Sequence, residues 1–328
     1  MSNTITAIAP KELILKAKDP IVLECGDTLR NVTIAYSTWG TLSADKSNVV
    51  WVFHALTANG NPHEWWPEMV GAGQVIDPQK HFIICANMLG SCYGSTGPKN
   101  MNFPLVTIND MVKAHKILKA HLGLDKIYLG IGGSMGGQQL LEWAVQEPEL
   151  FENIVPLATN AFHSPWGIAF NEAQRMALEN IDSAKGLEAA RAIAMLSYRH
   201  YDTYQSTQKD VDHRWDDFAA SSYQRYQGEK LRKRFSVQSY YYLSKAMDSH
   251  HVGRHFGSAE AALKRIKSNT LVIGIDSDML FPPHEQEFIA KNIPNSQVIV
   301  ISSKYGHDGF LTEANTITQL LKTFINHE

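Results

Sequence analysis

Cysteine is scarce in this chain of 328 residues, and the three present, Cys25, Cys85 and Cys92, form no CxxC pair. Three thiols cannot all pair, so neither a disulfide framework, a zinc ribbon nor a thioredoxin-type redox site is indicated, and a reducing compartment is expected. Charge is also sparse: 19% of residues are Asp, Glu, Lys or Arg, against roughly 25% in an average globular chain. That shortage argues for extensive burial and against disorder. The 30 Lys+Arg and 33 Asp+Glu nearly cancel, and no block of about five or six like charges occurs, so nucleic acid and membrane surfaces are not expected partners. No apolar run reaches the length of about 18 residues that a membrane span needs. The opening stretch, MSNTITAIAPKELILKAKDP, has no continuous apolar core and no small-residue cleavage site, which predicts a soluble cytoplasmic protein.

What the chain does contain is a series of short β-branched runs, each ending in Gly, Asn, Asp or Ser. They are VTIAYSTWG from Val32, NVVWVFHAL from Asn48, HFIICANM from His81, KIYLGIGGS from Lys126, NIVPLAT from Asn153, TLVIGIDSD from Thr270 and QVIVISS from Gln297. Between them, DMVKAHKILKAHL from Asp110 and GQQLLEWAVQEPE from Gly137 carry apolar residues at helical spacing. Strand alternating with helix predicts an α/β fold with a mostly parallel sheet covered on both faces. The alternation stops between Phe162 and Lys267, where eight of the twelve tyrosines fall and where GLEAARAIAMLSYRHY and RFSVQSYYYLSKAM read as helices. The expected organisation is therefore a core of residues 1–161 and 268–328, with a helical lid insertion over residues 162–267. No flexible linker marks the junctions, so the lid is expected to be packed rather than tethered.

The strand KIYLGI runs into Gly132-Gly133-Ser134-Met135-Gly136-Gly137 and then into a helix. This is a GxSxG nucleophile elbow in a strand-turn-helix setting. Glycines two before and two after Ser134 remove side chains that would collide where strand and helix converge, and the helix start aims backbone N–H groups at any oxyanion formed nearby. The GxGxxG spacing of a dinucleotide loop is not met from Gly130 or Gly132. A serine hydroxyl needs a base oriented by a carboxylate, and the elbow fold orders them Ser, Asp or Glu, His. The acidic turn Asp276-Ser277-Asp278 and the turn Tyr305-Gly306-His307-Asp308-Gly309 each follow a strand downstream. His307 is the candidate base. The residues alone leave the carboxylate open between Asp276 and Asp278, and one of the two is expected to cap the helix that starts near Pro282. A second oxyanion N–H belongs to a loop after an earlier central strand, where His54-Ala55-Leu56-Thr57 stands.

Other constellations are weaker. His250, His251 and His255 offer an i, i+4 pair, read as lying on a lid helix, but no third ligand is near in sequence, and no metal is expected. His63-Glu64 and His284-Glu285 do not extend to HExxH, and the loop Gly90 to Pro98 lacks the GK[ST] of a phosphate cradle, which leaves it a structural loop bordering the pocket.

Taken together, His54-Ala55-Leu56-Thr57, NMLGSCYGSTGP from Asn87, GGSMGG from Gly132, SDMLFPP from Ser277 and YGHDGFL from Tyr305 resemble the homoserine O-acetyltransferase family of α/β-hydrolase-fold acyltransferases over nearly the whole chain. The resemblance implies Ser134 as nucleophile, His307 as base and Asp278 as the carboxylate that orients it. It implies an oxyanion hole from the backbone N–H groups of Leu56 and Met135, and an acceptor site at Asp308 and Arg175. A zwitterionic amino acid does need an anion for its ammonium and a cation for its carboxylate. The chain departs from the family pattern after Arg175, where MALENIDSAK replaces a longer stretch rich in Gly and Tyr, and at Ala58-Asn59-Gly60 after the first oxyanion segment. By resemblance the chain moves an acetyl group from acetyl-CoA to the hydroxyl of L-homoserine through an acyl-serine, in methionine biosynthesis. It binds no resident cofactor, uses acyl-CoA as co-substrate and forms a homodimer through lid helices. The alternatives are an O-succinyltransferase or serine O-acyltransferase of the same family, a carboxylesterase or thioesterase, and an inactive α/β-hydrolase fold used for binding.

Overall fold

A computed structural model describes residues 10–180 and 183–325. The first nine residues and the Ile181-Asp182 step of the shortened lid segment lie outside the described residues. The chain opens with β1 (Lys11–Lys16), the short pair β2 (Ile21–Val22) and β3 (Thr28–Leu29), and β4 (Thr33–Trp39). Then come β5 (Val49–Phe53), α1 (Pro62–Trp65), β6 (Phe82–Ala86), α2 (Ile108–His121), β7 (Ile127–Gly133), α3 (Met135–Gln146) and β8 (Phe151–Leu157). Six helices follow: α4 (Pro165–Asn180), α5 (Ser183–Tyr198), α6 (Tyr201–Thr207), α7 (Ala219–Arg232), α8 (Val237–Asp248) and α9 (Ala259–Leu263). The sheet resumes with β9 (Asn269–Ile275), α10 (Pro283–Asn292) and β10 (Ser296–Ile301), and the chain ends in α11 (Gly309–Thr312) and α12 (Ala314–Ile325).

Eight strands form one sheet in the order β1-β4-β6-β5-β7-β8-β9-β10. β1 and β4 run antiparallel at one edge, and from β6 to β10 the pairing is parallel. This is the mostly parallel sheet that the alternation predicts, and it agrees with the α/β-hydrolase fold that the resemblance implies. The central strands read as unbroken apolar runs because both faces are covered. On β5, Val49, Trp51 and Phe53 enter one core, while Val50 and Val52 enter the other. β1 was not foreseen. Its KELILK residues are exposed or half-buried along its length, so an edge strand of this kind carries little of the apolar signal.

The helical stretch between β8 and β9 matches the change in composition. Its β pairing among the described residues is limited to an isolated bridge between Phe162 and His251. Leu187, Ala190, Leu231 and Tyr240 from these helices belong to the same apolar cluster as Trp51 and Phe53 of the sheet, so the helices rest on the core rather than hanging from it. Among the described residues, no helix is long and apolar enough to cross a membrane, and the three cysteines are unpaired.

Candidate active site

The register between β5 and β7 sets Phe53 opposite Gly132, so the segment His54 to Thr57 leaves the sheet beside the elbow. Where parallel strands end and the strand order reverses, loops diverge and leave a crevice. Ser134 sits at the turn between β7 and α3 with φ 55° and ψ −127°, a conformation that costs a non-glycine residue of order 1–3 kcal/mol. The flanking glycines answer a steric demand. A Cβ on Gly132 would lie 2.7 Å from the Gly136 backbone, and one on Gly136 would lie 2.2 Å from the Phe53 carbonyl oxygen. Only glycine lets the strand, the turn and the end of β5 come this close.

β9 and β10 deliver the other two groups. Ser277 Oγ bonds the Ser303 carbonyl and accepts from the Gly306 N–H at 3.1 Å, tying the two turns together. The Ser134 hydroxyl then lies 2.9 Å from His307 Nε2, and His307 Nδ1 lies 2.7 Å from Asp278 Oδ2. The other carboxylate oxygen of Asp278 accepts from the Leu280 and Phe281 N–H groups at 2.8 and 2.9 Å. With an acceptor-only carboxylate on Nδ1, the ring must donate there, which leaves the Nε2 lone pair for the serine proton. The imidazole is buried and packs against Phe281, Phe310 and Tyr198, with ring centroids 5.0, 5.3 and 5.6 Å away. The structure thereby separates Asp278 from Asp276, which instead accepts the Ser303 N–H at 3.0 Å. The expectation that one of them caps the following helix is not met. Pro282 is the N-cap of α10 without a side-chain cap, Pro283 has no N–H to satisfy, and both carboxylates are committed elsewhere.

The segment His54 to Thr57, expected to supply an oxyanion N–H, is held from behind. His54 is buried, its Nδ1–H donates to the Ala55 carbonyl at 2.9 Å, and its Nε2 accepts the Met88 N–H at 3.1 Å. Burial pushes this imidazole down to about 4, so it stays neutral and serves both bonds. Gln139 Nε2 donates to the Met135 carbonyl at 3.2 Å and the His54 carbonyl at 3.4 Å, joining α3 to the same segment. Met135 opens α3, where first-turn N–H groups have no intrahelical partner. Leu56 and Ser134 both line a cavity of about 340 Å³.

Its other walls come partly from the helical insertion: Arg191, Tyr198, Lys230 and Arg234 line it together with His307 and Asp308. Asp308 carries an ion pair to Arg199 at 2.8 Å. Arg175 is not brought there. Its guanidinium is buried and bonds Glu172 at 2.9 and 2.6 Å, Asp248 at 2.6 Å and Ser244 at 3.1 Å, so it clamps α4 to α8. Sequence reasoning passed over Arg191, Lys230 and Arg234. The available signal was the seven-residue spacing of Arg191 and Tyr198, which puts both on one face of α5.

The histidine trio also falls differently from expectation. His250, His251 and His255 lie in the irregular segment after α8, not on a helix. His250 Nε2 is 3.1 Å from the Asn160 carbonyl and His255 Nε2 is 2.7 Å from Glu24. No group of three metal-ligating side chains occurs among the described residues. The loop from Gly90 to Pro98 is structural: Ser95 Oγ and Thr96 Oγ1 accept backbone N–H groups of Ala35 and Thr33 at 2.9 and 2.8 Å, while Tyr93 reaches the cavity.

Comparison with known proteins supplies independent evidence. Residues 48–314 match the family model of the α/β hydrolase fold. A homoserine O-acetyltransferase of Cyclobacterium marinum is 47% identical over 95% of this chain and 94% of its own length. One from Chlorobaculum tepidum is 41% identical over 94% and 93%. Among solved structures, the homoserine O-acetyltransferase of Staphylococcus aureus superposes with a TM-score of 0.86 at 27% identity, over 98% of this chain and 96% of its own. The esterase E22 superposes at 0.88 with 22% identity over 97% and 100%, a likeness of fold alone.

Proposed function

Because the chain belongs to the homoserine O-acetyltransferase family of α/β-hydrolase-fold acyltransferases, we propose that it transfers an acetyl group from acetyl-CoA to the hydroxyl of L-homoserine, in methionine biosynthesis. The observation that carries the mechanism is the unbroken hydrogen-bonded row Ser134–His307–Asp278 at the wall of the cavity. In the first half-reaction His307 Nε2 takes the serine proton as Oγ attacks the thioester carbonyl, and Asp278 stabilises the imidazolium. The tetrahedral oxyanion faces the N–H groups of Leu56 and Met135. Collapse expels the CoA thiolate, which takes the proton from His307, and leaves an acetyl-serine. In the second half-reaction His307 deprotonates the acceptor hydroxyl as its oxygen attacks the acyl carbonyl; the adduct collapses, and the departing Ser134 oxygen takes that proton from His307.

Two features support an anionic donor and a restrained access for water. Lys230 and Arg234 contribute positive charge to the cavity wall, and Arg234 is pinned by the Tyr93 hydroxyl at 3.0 Å, which suits the phosphates of a CoA ester. The helical segment 162–267 acts in this reading as the lid that keeps water from the acyl-enzyme. A cytoplasmic setting and a homodimer belong to the same reading. Exposed Trp166 and Leu196 on α4 and α5 offer apolar surface for a partner copy.

Initial rates test the scheme. With acetyl-CoA and homoserine both varied and thiol release followed, parallel reciprocal lines are expected; lines requiring a ternary complex overturn it. Thiol release in the absence of an acceptor as fast as in its presence makes the chain a hydrolase. Succinyl-CoA and serine, run beside them, identify the donor and acceptor.

A further inference from the structure

We propose that Thr159, just past the end of β8, is a positioning residue for the nucleophile: its hydroxyl fixes the peptide between Ser134 and Met135, so that the Met135 N–H is aimed at the oxyanion while Ser134 Oγ keeps its place against His307. This rests on the acyl-serine reading above, in which that N–H is one of two oxyanion donors.

Among the described residues, five that are not glycine hold a positive φ, and the two of them that are buried are Ser134 at 55° and Ala158 at 42°. Hydrogen bonds join the two turns. The Ser134 N–H donates to the Leu157 carbonyl at 2.9 Å, and the Ser134 carbonyl accepts the Thr159 hydroxyl at 2.8 Å, so the residues on either side of Ala158 hold the nucleophile by both of its backbone groups. Ala158 is itself anchored, its N–H donating to the Ile273 carbonyl of β9 at 2.8 Å. Its left-handed conformation is uncommon outside glycine, and it turns the chain out of β8 at the point where Thr159 meets the elbow. Thr159 is fully buried, and its own carbonyl accepts the buried Gln286 Nε2 at 2.6 Å. Gly137, which the GxSxG pattern does not require, makes room for it: a Cβ there would lie 2.6 Å from Thr159 Cγ2 and 2.9 Å from Oγ1.

The Ser134 carbonyl does not need this bond to be satisfied. It already accepts the Gln138 N–H of α3 at 3.1 Å. A carbonyl oxygen can only accept, so the threonine hydroxyl must be the donor, and it is a second donor on one oxygen. A second donor adds direction and polarisation. The peptide is planar and trans, so its C=O and N–H point opposite ways; holding the Ser134 oxygen from two sides therefore fixes the line along which the Met135 N–H points. Electron density drawn onto that oxygen also makes the N–H a stronger donor, by about 10–30% per bond. Both effects act on charge that develops only in the transition state, where a donor already in place is worth most.

The test separates the hydroxyl from the packing. Thr159→Val keeps the shape and removes the donor, whereas Thr159→Ser keeps the donor and removes the methyl. First-turnover acetylation is followed with acetyl-CoA, by thiol release, and with p-nitrophenyl acetate, by nitrophenolate release. Thr159→Val is expected to lower both rate constants about 5- to 30-fold, between the worth of one neutral hydrogen bond and the loss of an oxyanion donor outright. Thr159→Ser should recover most of that rate, although the two variants lose similar melting temperature, because a buried methyl and a hydrogen bond are of similar worth. A trifluoromethyl ketone carried on the CoA sulfur reports the oxyanion without turnover: Ser134 Oγ adds to its carbonyl carbon, the carbonyl oxygen becomes the alkoxide, and His307 holds the serine proton. Thr159→Val should weaken this ketone by the same factor and leave the affinity for CoA within about twofold of the parent. If Thr159→Val does not fold, Thr159→Ala takes its place in each comparison. A valine variant with the parent's rates, a serine variant as slow as the valine one, or equal losses of affinity for ketone and CoA overturns the assignment and leaves the acyl-serine reading standing. A parent that releases nitrophenolate but no thiol overturns acetyl-CoA as the donor, and the nitrophenolate rates then decide on Thr159. A parent that releases neither overturns the acyl-serine reading and this inference with it.

Discussion

Replacing Asp278 by Asn tests the row at its most informative point, because the side chain is held from two sides. Oδ1 accepts the Leu280 and Phe281 N–H groups at 2.8 and 2.9 Å, and Oδ2 faces His307 Nδ1 at 2.7 Å. In the amide only one of these positions can remain an oxygen. Two backbone donors outvote one imidazole, since turning the NH2 toward them would leave both buried and unsatisfied, at about 1–3 kcal/mol each. The NH2 therefore points at Nδ1, which must accept, and the ring proton moves to Nε2. Nε2–H then faces the Ser134 hydroxyl and has no lone pair with which to take its proton. When an Asp-to-Asn exchange imposes the wrong tautomer on a triad imidazole, the loss in kcat is on the order of 10⁴, or about 5–6 kcal/mol of barrier. Both half-reactions should slow, which stopped-flow thiol release and steady-state turnover measure separately. The melting temperature should move by only a few degrees, because the backbone bonds are kept. Asp276→Asn is the control. Its Oδ1 accepts the Ser303 N–H at 3.0 Å, a bond that an amide oxygen preserves, so activity should stay within about threefold of the parent. If Asp278→Asn retains activity within about tenfold while Asp276→Asn loses it, the carboxylate has been misassigned.

Two further outcomes follow from the backbone at Ser134 and the burial of Glu142. Ser134 is held at φ 55°, so Ser134→Gly should be more stable than Ser134→Ala by about 1 kcal/mol, because both lack the hydroxyl and only glycine relieves the strain; equal urea midpoints would show that the elbow stores none. Glu142 is buried on α3, and burial pushes its carboxyl up to about 7, against the opposing Gln146 amide bond at 2.7 Å. The folded state therefore keeps a proton that the unfolded chain has released, and stability falls as pH rises from about 4.5 through about 7, by roughly 3 kcal/mol in all. Glu142→Gln removes that term, so its stability relative to the parent should improve by about that amount between pH 5 and pH 8. Parallel urea-midpoint curves for the two proteins over that range would refute the linkage.

What could be read in advance, and what could not, follows from how far apart the cooperating residues lie and what fixes their mutual position. β5, β7, β8 and β9 are legible as buried runs because both faces are covered, and once they are placed the parallel register carries Phe53 to Gly132 and Ile275 to Ile301 with no side-chain decision left. Ser134, His307 and the segment His54 to Thr57 stand beyond the ends of sheet strands, so locating the strands nearly locates them. Asp276 and Asp278 occupy the same turn, and their difference is one of direction: the Asp278 side chain curls over its own turn to the Leu280 and Phe281 N–H groups, leaving one oxygen for His307. No periodicity encodes that. The insertion is harder still, because a helix fixes which residues share a face but not what the face meets. Glu172 is visible as an i−3 partner of Arg175, whereas Asp248 reaches it only because α8 packs against α4. That second contact converts Arg175 from a free cation into a buried strut. Arg191 is the complementary case: an ordinary helix arginine in the sequence, it enters the cavity because α5 ends against the turn of His307, where the Gly306 Cα lies too close to the Tyr198 carbonyl and the His200 N–H to carry a side chain. Charges on the lid acquire their meaning from long-range packing, and so the cations that line the cavity are legible only in three dimensions, while the row Ser134–His307–Asp278 is legible from the order of short blocks along the chain.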